Sequence, residues 1–441
     1  MINTKALREK ILDLAMRGKL VVPDLTKEKT DIFETEKQGY LPQNWVLTSL
    51  SNVATLLNGR AYKKNELLSN ERLTPVLRVG NLFTNSQWYY SDLNLDSNKY
   101  IDNGDLIYAW SASFGPRIWN GGKAIYHYHI WKISLRFEES KKFMYYFLLD
   151  NAKKVKKNTT GSTMVHITKR KMEQMKVPFP PLEEQKRIVA KIEELFALID
   201  IIESNQLEFK QLAEQLDKKV LDLAMCGKLV PQNPTDEPAS VLLDKIKKEK
   251  EQLIKDKKIK KEKPLPEISK EEISYKIPDS WEWVSIRDIS TITMGQAPKS
   301  SNVNNEGNGF EFHQGKTFFS SMYVEQSGVY TTSPNKVINP PAIIMSVRAP
   351  VGDVNLIDRK IVIGRGLAAF VPENGIELLF LYNYLQTQKS YLLSLSTGTT
   401  FKAINSQTVR TINVPLPPLK EQKRIVAKIE MIRESIKRID F

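Results

Sequence analysis

The chain has 441 residues, 65 Lys+Arg against 51 Asp+Glu, a formal charge of +14 and a hydrophobic fraction of 41%. At roughly 100–200 residues per domain this predicts two to four domains with real cores and excludes a wholly disordered protein. One cysteine, Cys226, excludes an intramolecular disulfide framework and any multi-cysteine zinc site, and four histidines leave little from which to build a catalytic metal centre. No apolar run approaches the roughly 18 residues of a bilayer span, and charges interrupt MINTKALREKILDLAMRGKL, so no signal peptide is read there. The expectation is a cytoplasmic protein with no membrane partner, and the basic excess makes a polyanion the first partner to weigh.

In chain order, residues 1–21 read as a helix with apolar positions Leu7, Ile11 and Leu14. Residues 40–178 read as a globular α+β unit. It has short β-like runs such as VLRVGNLF, DLIYAWSASF and IWKISLRF, and a helical stretch at 141–151. Residues 181–230 hold a long helix, 231–275 a lysine- and glutamate-rich linker, 276–415 a second α+β unit, and 418–441 a C-terminal helix. The second unit repeats the pattern with PAIIMSVRAPVGDV, IVIGRGLAAFV and a helical stretch at 378–388.

The order repeats because the chain is internally duplicated, a signal that takes priority over local structure. LDLAMRGKLV (12–21) recurs as LDLAMCGKLV (221–230), and PLEEQKRIVAKIE (181–193) as PLKEQKRIVAKIE (418–430), each with one difference. Between them LPQNW (41–45) answers IPDSW (277–281), TTGST (159–163) answers STGTT (396–400), and VPFPPL (177–182) answers VPLPPL (414–419). From the Pro-x-x-Trp element onward the copies are offset by 236–237 residues, whereas the first pair is offset by 209. The second copy therefore carries an insertion of 27 residues near 244–272, which reads as a solvated helix or flexible linker, with a DNA-grazing role as the alternative.

In the long helix Ile188, Ile192, Leu195, Ile199, Ile202, Phe209, Leu216 and Val220 fall on a seam of alternating four- and three-residue steps, which Gln206 interrupts. Pro178, Pro180 and Pro181 block extension backward, and Gly227 supplies a stop. A helix from 182 to 225 is roughly 65 Å long at 1.5 Å per residue. Shifting the seam by the repeat offsets yields Ile425, Ile429, Ile432 and Ile436 near the C-terminus and Leu7, Ile11 and Leu14 near the N-terminus. The two chain ends are thus complementary halves of one further copy of the central helix. The expected fold is α+β: two pseudo-twofold-related globular domains separated by an antiparallel pair of long coiled-coil helical regions, with the ends meeting to close a ring. The competing arrangement packs each terminal helix on its own globular unit. One turn of DNA is roughly 34–36 Å, so such a rod would set two readers about one to two turns apart.

Two divergent domains between nearly identical helical segments, each opened by PPL(E/K)EQKRIVAKIE after a TGST/TGTT and VP stretch, strongly resemble the specificity subunit of type I restriction–modification systems. The resemblance spans essentially the whole chain. MSVRAPVGDVN (345–355) and IGRGLAAF (363–370) resemble its target-recognition domains; the first unit has YAWSASFGPRIWN (108–120) in that place. The resemblance implies that each globular unit reads one half of a split, asymmetric double-stranded DNA site, that the helices fix the spacer and dock two methylation subunits, and that restriction subunits join them. It implies no chemistry in this chain, with S-adenosylmethionine and ATP/Mg held by partner subunits. An assembly scaffold that no longer reads sequence is the alternative.

Loop polar, basic and aromatic residues are the candidate DNA contacts. In the first unit these are Arg60, Tyr62, Lys63, Lys64, Arg78, Asn81, Ser111, Ser113 and Arg117. Lys153, Lys154, Lys156 and Lys157 look like phosphate contacts. The second unit offers Gln296, Lys299, Gln314, Lys316 and Arg348. The loops Thr160–Gly161–Ser162–Thr163 and Thr397–Gly398–Thr399 either offer amides to phosphate or are tight turns. Residues 42–178 carry a net +10 and 278–415 a net +1. Three apparent enzyme signals fail. NPPA (339–342) lacks the stacking aromatic of an amino-methyltransferase, and GKT (315–317) has Phe310 where a P-loop needs glycine. His127 and His129 have no further ligands nearby and read as structural.

Overall fold

The computed structural model describes residues 2–23, 41–111, 115–157, 167–397 and 402–439, apart from 262, 264, 266, 267, 270–272 and 274. The chain divides into two compact units, residues 1–207 and 208–441. The long helix Leu182–Met225 contributes to both.

The two units share one strand order, to which the second adds an edge strand, Val303–Asn304. In the first, an antiparallel four-stranded sheet runs Ala54–Asn58, Ile130–Leu135, Leu106–Ala109, Gly115–Ile118. A second sheet runs Tyr89–Ser91, Thr74–Leu77, Ala124–Tyr126, Tyr100–Ile101, with one parallel pair, Val76 opposite Ile125. In the second unit the corresponding sheets run Ser290–Met294, Leu367–Pro372, Ala342–Ser346, Val354–Ile357, and Val303–Asn304, Tyr330–Thr331, Phe310–His313, Ile361–Ile363, Val337–Ile338. There the parallel pair sets Phe312 opposite Val362. Each unit adds a two-stranded ribbon that joins its start to its end: Val46–Ser49 with Lys176–Phe179, and Glu282–Ser285 with Asn413–Leu416.

The alternating apolar strands put Leu56, Leu106, Tyr108 and Ile133 in the first core, where they meet Phe143, Phe147 and Leu148 of the helix Lys141–Lys157. In the second unit Ile343, Met345 and Phe370 meet Phe380, Leu381 and Leu385 of the helix Leu378–Thr387. One β-like run folds otherwise. After strand Thr74–Leu77, residues Val79–Phe83 form a short helix, whose start is tied by the Asn81 carboxamide oxygen accepting from the Arg78 N–H at 3.1 Å.

The repeated motifs converge on one joint in each unit. Gly18 and Gly227 end their helices at φ +65° and +69°, where L side chains are strained. A Cβ on either would come within 2.3–2.4 Å of Pro42 or Pro278. The tryptophan three residues on from that proline donates its indole N–H to a buried carboxylate in the first turn of the following helix. Trp45 donates to Glu184 at 2.8 Å and Trp281 to Glu421 at 3.0 Å. Asn44 gives Glu184 a second donor at 2.7 Å. Gln185 and Gln422 then donate to the carbonyls of Pro180 and Pro417 at 2.8 and 3.0 Å. Burial pushes the Glu421 carboxyl up, with the Trp281 and Gln232 donors pulling against it.

The helix seam holds in part. Ile188, Ile192, Ile199 and Val220 are buried, and Leu195, Ile202 and Phe209 are half-buried. Leu216, expected on the seam, is 47% exposed. The buried face there is Val220, Leu221, Ala224 and Met225, which faces the core of the second unit. A 3.6-residue helix drifts from a 3.5-residue repeat by roughly 20° per heptad, enough over several turns to rotate a seam residue outward. The N-terminal helix Thr4–Met16 is displaced in the same sense. Leu7 is 39% exposed, Ile11 and Leu14 are half-buried, and Leu12, Ala15 and Met16 enter the core of the first unit. The same helix is tied to the long helix by Arg8, which reaches Asp200 at 2.6 Å and Glu203 at 3.2 Å and lies over the Phe196 ring. In the C-terminal helix Leu419–Ile439, Ile425 and Ile429 are buried, Ile432 and Ile436 are half-buried, and Arg433 grips Asp217 with two hydrogen bonds. The stretch read as a charged linker contains a helix, Ala239–Lys255, with Ala239, Leu242 and Ile246 buried against the second core. Those three sit at steps of three and four among lysines and glutamates, a narrow stripe that overall composition hides.

Glu184→Leu strips the buried Trp45 indole N–H of its acceptor and should destabilise the first unit by about 2 kcal/mol. A lower thermal transition checks this, and adding Trp45→Phe, which removes the donor as well, should recover part of the loss.

Candidate nucleic-acid interface

In each unit the strand ends come together at one junction, held by matched backbone hydrogen bonds. Gly59 N–H donates to Ile130 O at 3.2 Å, as Gly295 does to Leu367 at 2.8 Å. Arg60 N–H donates to Tyr126 O at 3.0 Å, as Gln296 does to Ile363 at 3.1 Å. His127 N–H donates to Leu77 O at 2.9 Å, as Gly364 does to His313 at 2.8 Å. Trp110 N–H donates to His129 O at 3.0 Å, as Val347 does to Gly366 at 2.9 Å. The paired positions keep the 236–237 offset of the repeat, so it persists through the divergent segments. Arg60 thus corresponds to Gln296, Arg78 to Gln314, Ser111 to Arg348, and the turn His127–Tyr128–His129 to Gly364–Arg365–Gly366.

The junction of the first unit is built of aromatic and basic groups. Trp110 stacks on Trp131 at 5.6 Å and Trp131 on Tyr108 at 6.2 Å, an aromatic column running into the core. The Trp110 indole donates to Tyr128 O at 2.9 Å, and Tyr128 lies 4.0 Å from His129 and 4.4 Å from His127, centroid to centroid. Burial, with the charges of His129 and Arg78, pushes the His127 imidazole down to about 4. Arg60 is spent on Glu66 through two hydrogen bonds of 2.8 and 3.1 Å and lies over Tyr62. Burial raises the Tyr62 hydroxyl above its ordinary value, and that hydroxyl donates to Tyr126 O. Lys63 and Lys64 are exposed at a short helical turn. Arg78 is exposed over Tyr89, Asn81 donates to Gln87 O at 2.8 Å, and Arg117 is exposed over Phe83. Arg78, Asn81, Gln87, His127 and His129 line one small cleft.

Ser111 and Lys154, like Arg60, sit inward or are engaged. Ser111 is buried. Lys154 pairs with Asp150 at 2.5 Å and lies 3.6 Å from Asp13. Ser113, the Thr160–Thr163 loop and the side chains of Lys153, Lys156 and Lys157 lie outside the described residues.

The second junction is leaner. Gln296, Lys299, Gln314 and Arg348 are exposed, and so is Arg365, which sequence reading missed. Among the described residues no hydrogen bond or ion pair engages the side chains of Gln296, Gln314, Arg348 or Arg365. The signal that would have found Arg365 is its place between two glycines in a strand–turn–strand pattern. Gly366 has φ +101°, and a Cβ on Gly364 would meet the Phe312 ring at 2.7 Å. Lys316 is held by Asp353 at 2.5 Å, and Lys389 grips the other oxygen of that carboxylate at 2.5 Å. Thr397 exchanges backbone hydrogen bonds with Ala403 at 3.0 Å; Gly398 and Thr399 lie outside the described residues. Behind the junction His313 is buried and bonded to Glu311 at 2.8 Å, and Arg359 makes two bonds to Glu311 at 2.7 and 3.0 Å.

Among the described residues no group of His, Cys, Asp and Glu could hold a metal ion, and no helix is long and apolar enough to cross a membrane. Ala342, the last residue of the NPPA stretch, is fully buried at the start of a strand.

Two like-built units, each with a junction of exposed polar and basic side chains, define a protein with paired recognition domains. The family model for the type I restriction modification DNA specificity domain matches residues 42–211 and 278–438, and the chain belongs to that family as a specificity subunit with two such domains. It is 29% identical to the putative type I restriction enzyme MjaX specificity subunit of Methanocaldococcus jannaschii, over 92% of this chain and 91% of that one. It is 26% identical to the type I restriction enzyme EcoAI specificity subunit of Escherichia coli, over 99% and 90%. Two solved structures share the fold. One is described as the structural basis underlying complex assembly and conformational transition of the type I R-M system (TM-score 0.66, 24% identity, 91% and 93% covered). The other is the HsdS subunit from Thermoanaerobacter tengcongensis (TM-score 0.55, 23% identity, 92% and 93% covered).

Burial pushes the Glu311 carboxyl up, but Arg359, the Ser327 N–H and His313 outweigh it and hold it at about 2. A lowered folded-state value stabilises above the unfolded value of 4.5 and is lost as pH falls toward 2. The second unit should therefore lose stability between about pH 4.5 and 2, and Glu311→Gln should flatten that dependence in a pH series of thermal melts.

Proposed function

We propose that this chain reads a bipartite, asymmetric double-stranded DNA site, one half with each unit, and directs methylation of adenine there without doing chemistry itself. The observation that carries this is the matched junction: one backbone frame, used twice, with different side chains in each copy. Two identical readers would call for a symmetric site; two different ones call for an asymmetric one. The net +10 of residues 42–178 against +1 for 278–415 supports unequal work, with the first unit taking more of the phosphate contacts and the steeper salt dependence.

The long helix acts as the ruler between the half-sites. Two adenine-methylation subunits dock on the helical regions, and restriction subunits join them in the cytoplasm. The exposed Leu198 and Ile201 in the first unit, and Leu212 and Leu216 in the second, support docking, because apolar side chains on a charged helix favour a protein partner. S-adenosylmethionine and ATP/Mg belong to those partners in this reading.

Mixing the chain with its methylation subunit, S-adenosylmethionine and genomic DNA, then sequencing methylated adenines, should return one motif of two unlike halves with a fixed gap. Methylation without a split motif overturns the reading in favour of a scaffold that no longer reads sequence. Inserting one heptad after Gln206 should lengthen the gap and leave both half-motifs intact; an unchanged gap refutes the ruler.

A further inference from the structure

The residue at the middle of each junction turn occupies the same place in the frame but differs completely in chemistry. Tyr128 and Arg365 are each flanked by the residues whose backbone makes the matched hydrogen bonds: His127 and His129 in one unit, Gly364 and Gly366 in the other. The remaining match within the turn is the closing bond. Ile130 N–H donates to His127 O at 2.9 Å, and Leu367 N–H to Gly364 O at 3.3 Å. The frame therefore presents whatever side chain stands at its centre, while the bonds the two copies share are all backbone; the first unit adds the Trp110 indole, which donates to Tyr128 O.

Each tip is also built for its own side chain. In the first unit Tyr128 is 40% exposed between two imidazoles and backed by the Trp110–Trp131–Tyr108 column, so its ring has a rigid support. His127 is uncharged near neutral pH, which leaves it one donor and one acceptor. In the second unit Arg365 has glycine on both sides, and its guanidinium is exposed with no protein acceptor among the described residues. The Arg348 side chain lies close by, within 3.8 Å of where a Gly366 Cβ would stand.

We propose that these turns are the specificity-determining tips of the two readers, with Arg365 reading a guanine in one half-site and Tyr128 an A·T pair in the other. The inference rests on the DNA-reading function above. A guanidinium fork matches O6 and N7 of guanine with two hydrogen bonds, which no other base edge in the major groove offers. An aromatic tip with an uncharged imidazole suits the apolar thymine methyl and lacks the charge that favours guanine.

The test uses the full chain with its methylation subunit and the methylated-adenine map as the readout. Arg365→Ala should relax a guanine in one half-motif, with its preference over the other bases falling about tenfold or more, and leave the other half-motif untouched. Arg365→Lys keeps the charge but not the fork and should relax the same position. Tyr128→Ala should relax an A·T position in the opposite half-motif. Replacing His127–Tyr128–His129 with the Gly-Arg-Gly turn should bring a new guanine preference into the first half-motif. A split motif from the wild-type chain that these variants leave unchanged, or methylate only less efficiently, overturns the proposal while sparing the function above. No split motif from the wild-type chain overturns the function itself.

Discussion

Everything in each unit depends on a buried carboxylate at the start of a helix. Glu184 and Glu421 sit in the first helical turn, where the backbone N–H groups favour negative charge, and each is capped by the indole of the tryptophan that immediately precedes the unit's opening strand. A carboxylate out of water is costly unless its oxygens are matched by donors. That cost makes the contact selective: the tryptophan has one place to go, and the helix has one angle at which its first turn accepts it. The tight glycine under Pro42 or Pro278 closes the same joint from the end of the preceding helix. The duplicated motifs, far apart in sequence, are therefore parts of a single joint made twice.

With the joint fixed, the rest of each unit is free to differ. The sheets keep their strand order, and the backbone bonds at the junction keep their partners, because those depend on main-chain atoms. The side chains follow different plans. The first unit fills its junction with Trp110, Tyr128, His127 and His129 over a stacked column, and ties Arg60 to Glu66. The second uses glycine to bring strands close and leaves Gln296, Gln314, Arg348 and Arg365 exposed. A reader that must change its target without losing its fold is well served by this division between main chain and side chain.

The helical regions show why a heptad pattern is an incomplete guide. Ile188, Ile192, Ile425 and Ile429 behave as the pattern predicts, being buried where the helices meet the globular cores. Leu216 and Leu7 do not, because neighbours decide which arc of a helix is covered, and the helical period drifts against the repeat. The helix Ala239–Lys255 reads from composition as a solvated helix or flexible linker, yet three small or apolar residues suffice to seat it on the core, outnumbered though they are by lysine and glutamate. Among the candidate contacts, Arg60, Lys154 and Lys316 look alike in sequence to Arg78 and Arg348, yet each is already paired with a carboxylate supplied by the fold.

By itself the sequence determined the duplication, the bounds of the long helix, the α+β character of the two units and the family, because repeats, prolines and periodic apolar residues are local and survive in one dimension. Only the tertiary structure decided which residues share a site. The offset of 236–237 was legible, but that it aligns Tyr128 with Arg365 at the centre of one frame depends on hydrogen bonds between strands dozens of residues apart. Whether a basic side chain is exposed or engaged is settled by the acidic groups that folding brings beside it, and single-residue chemistry carries no record of that neighbour.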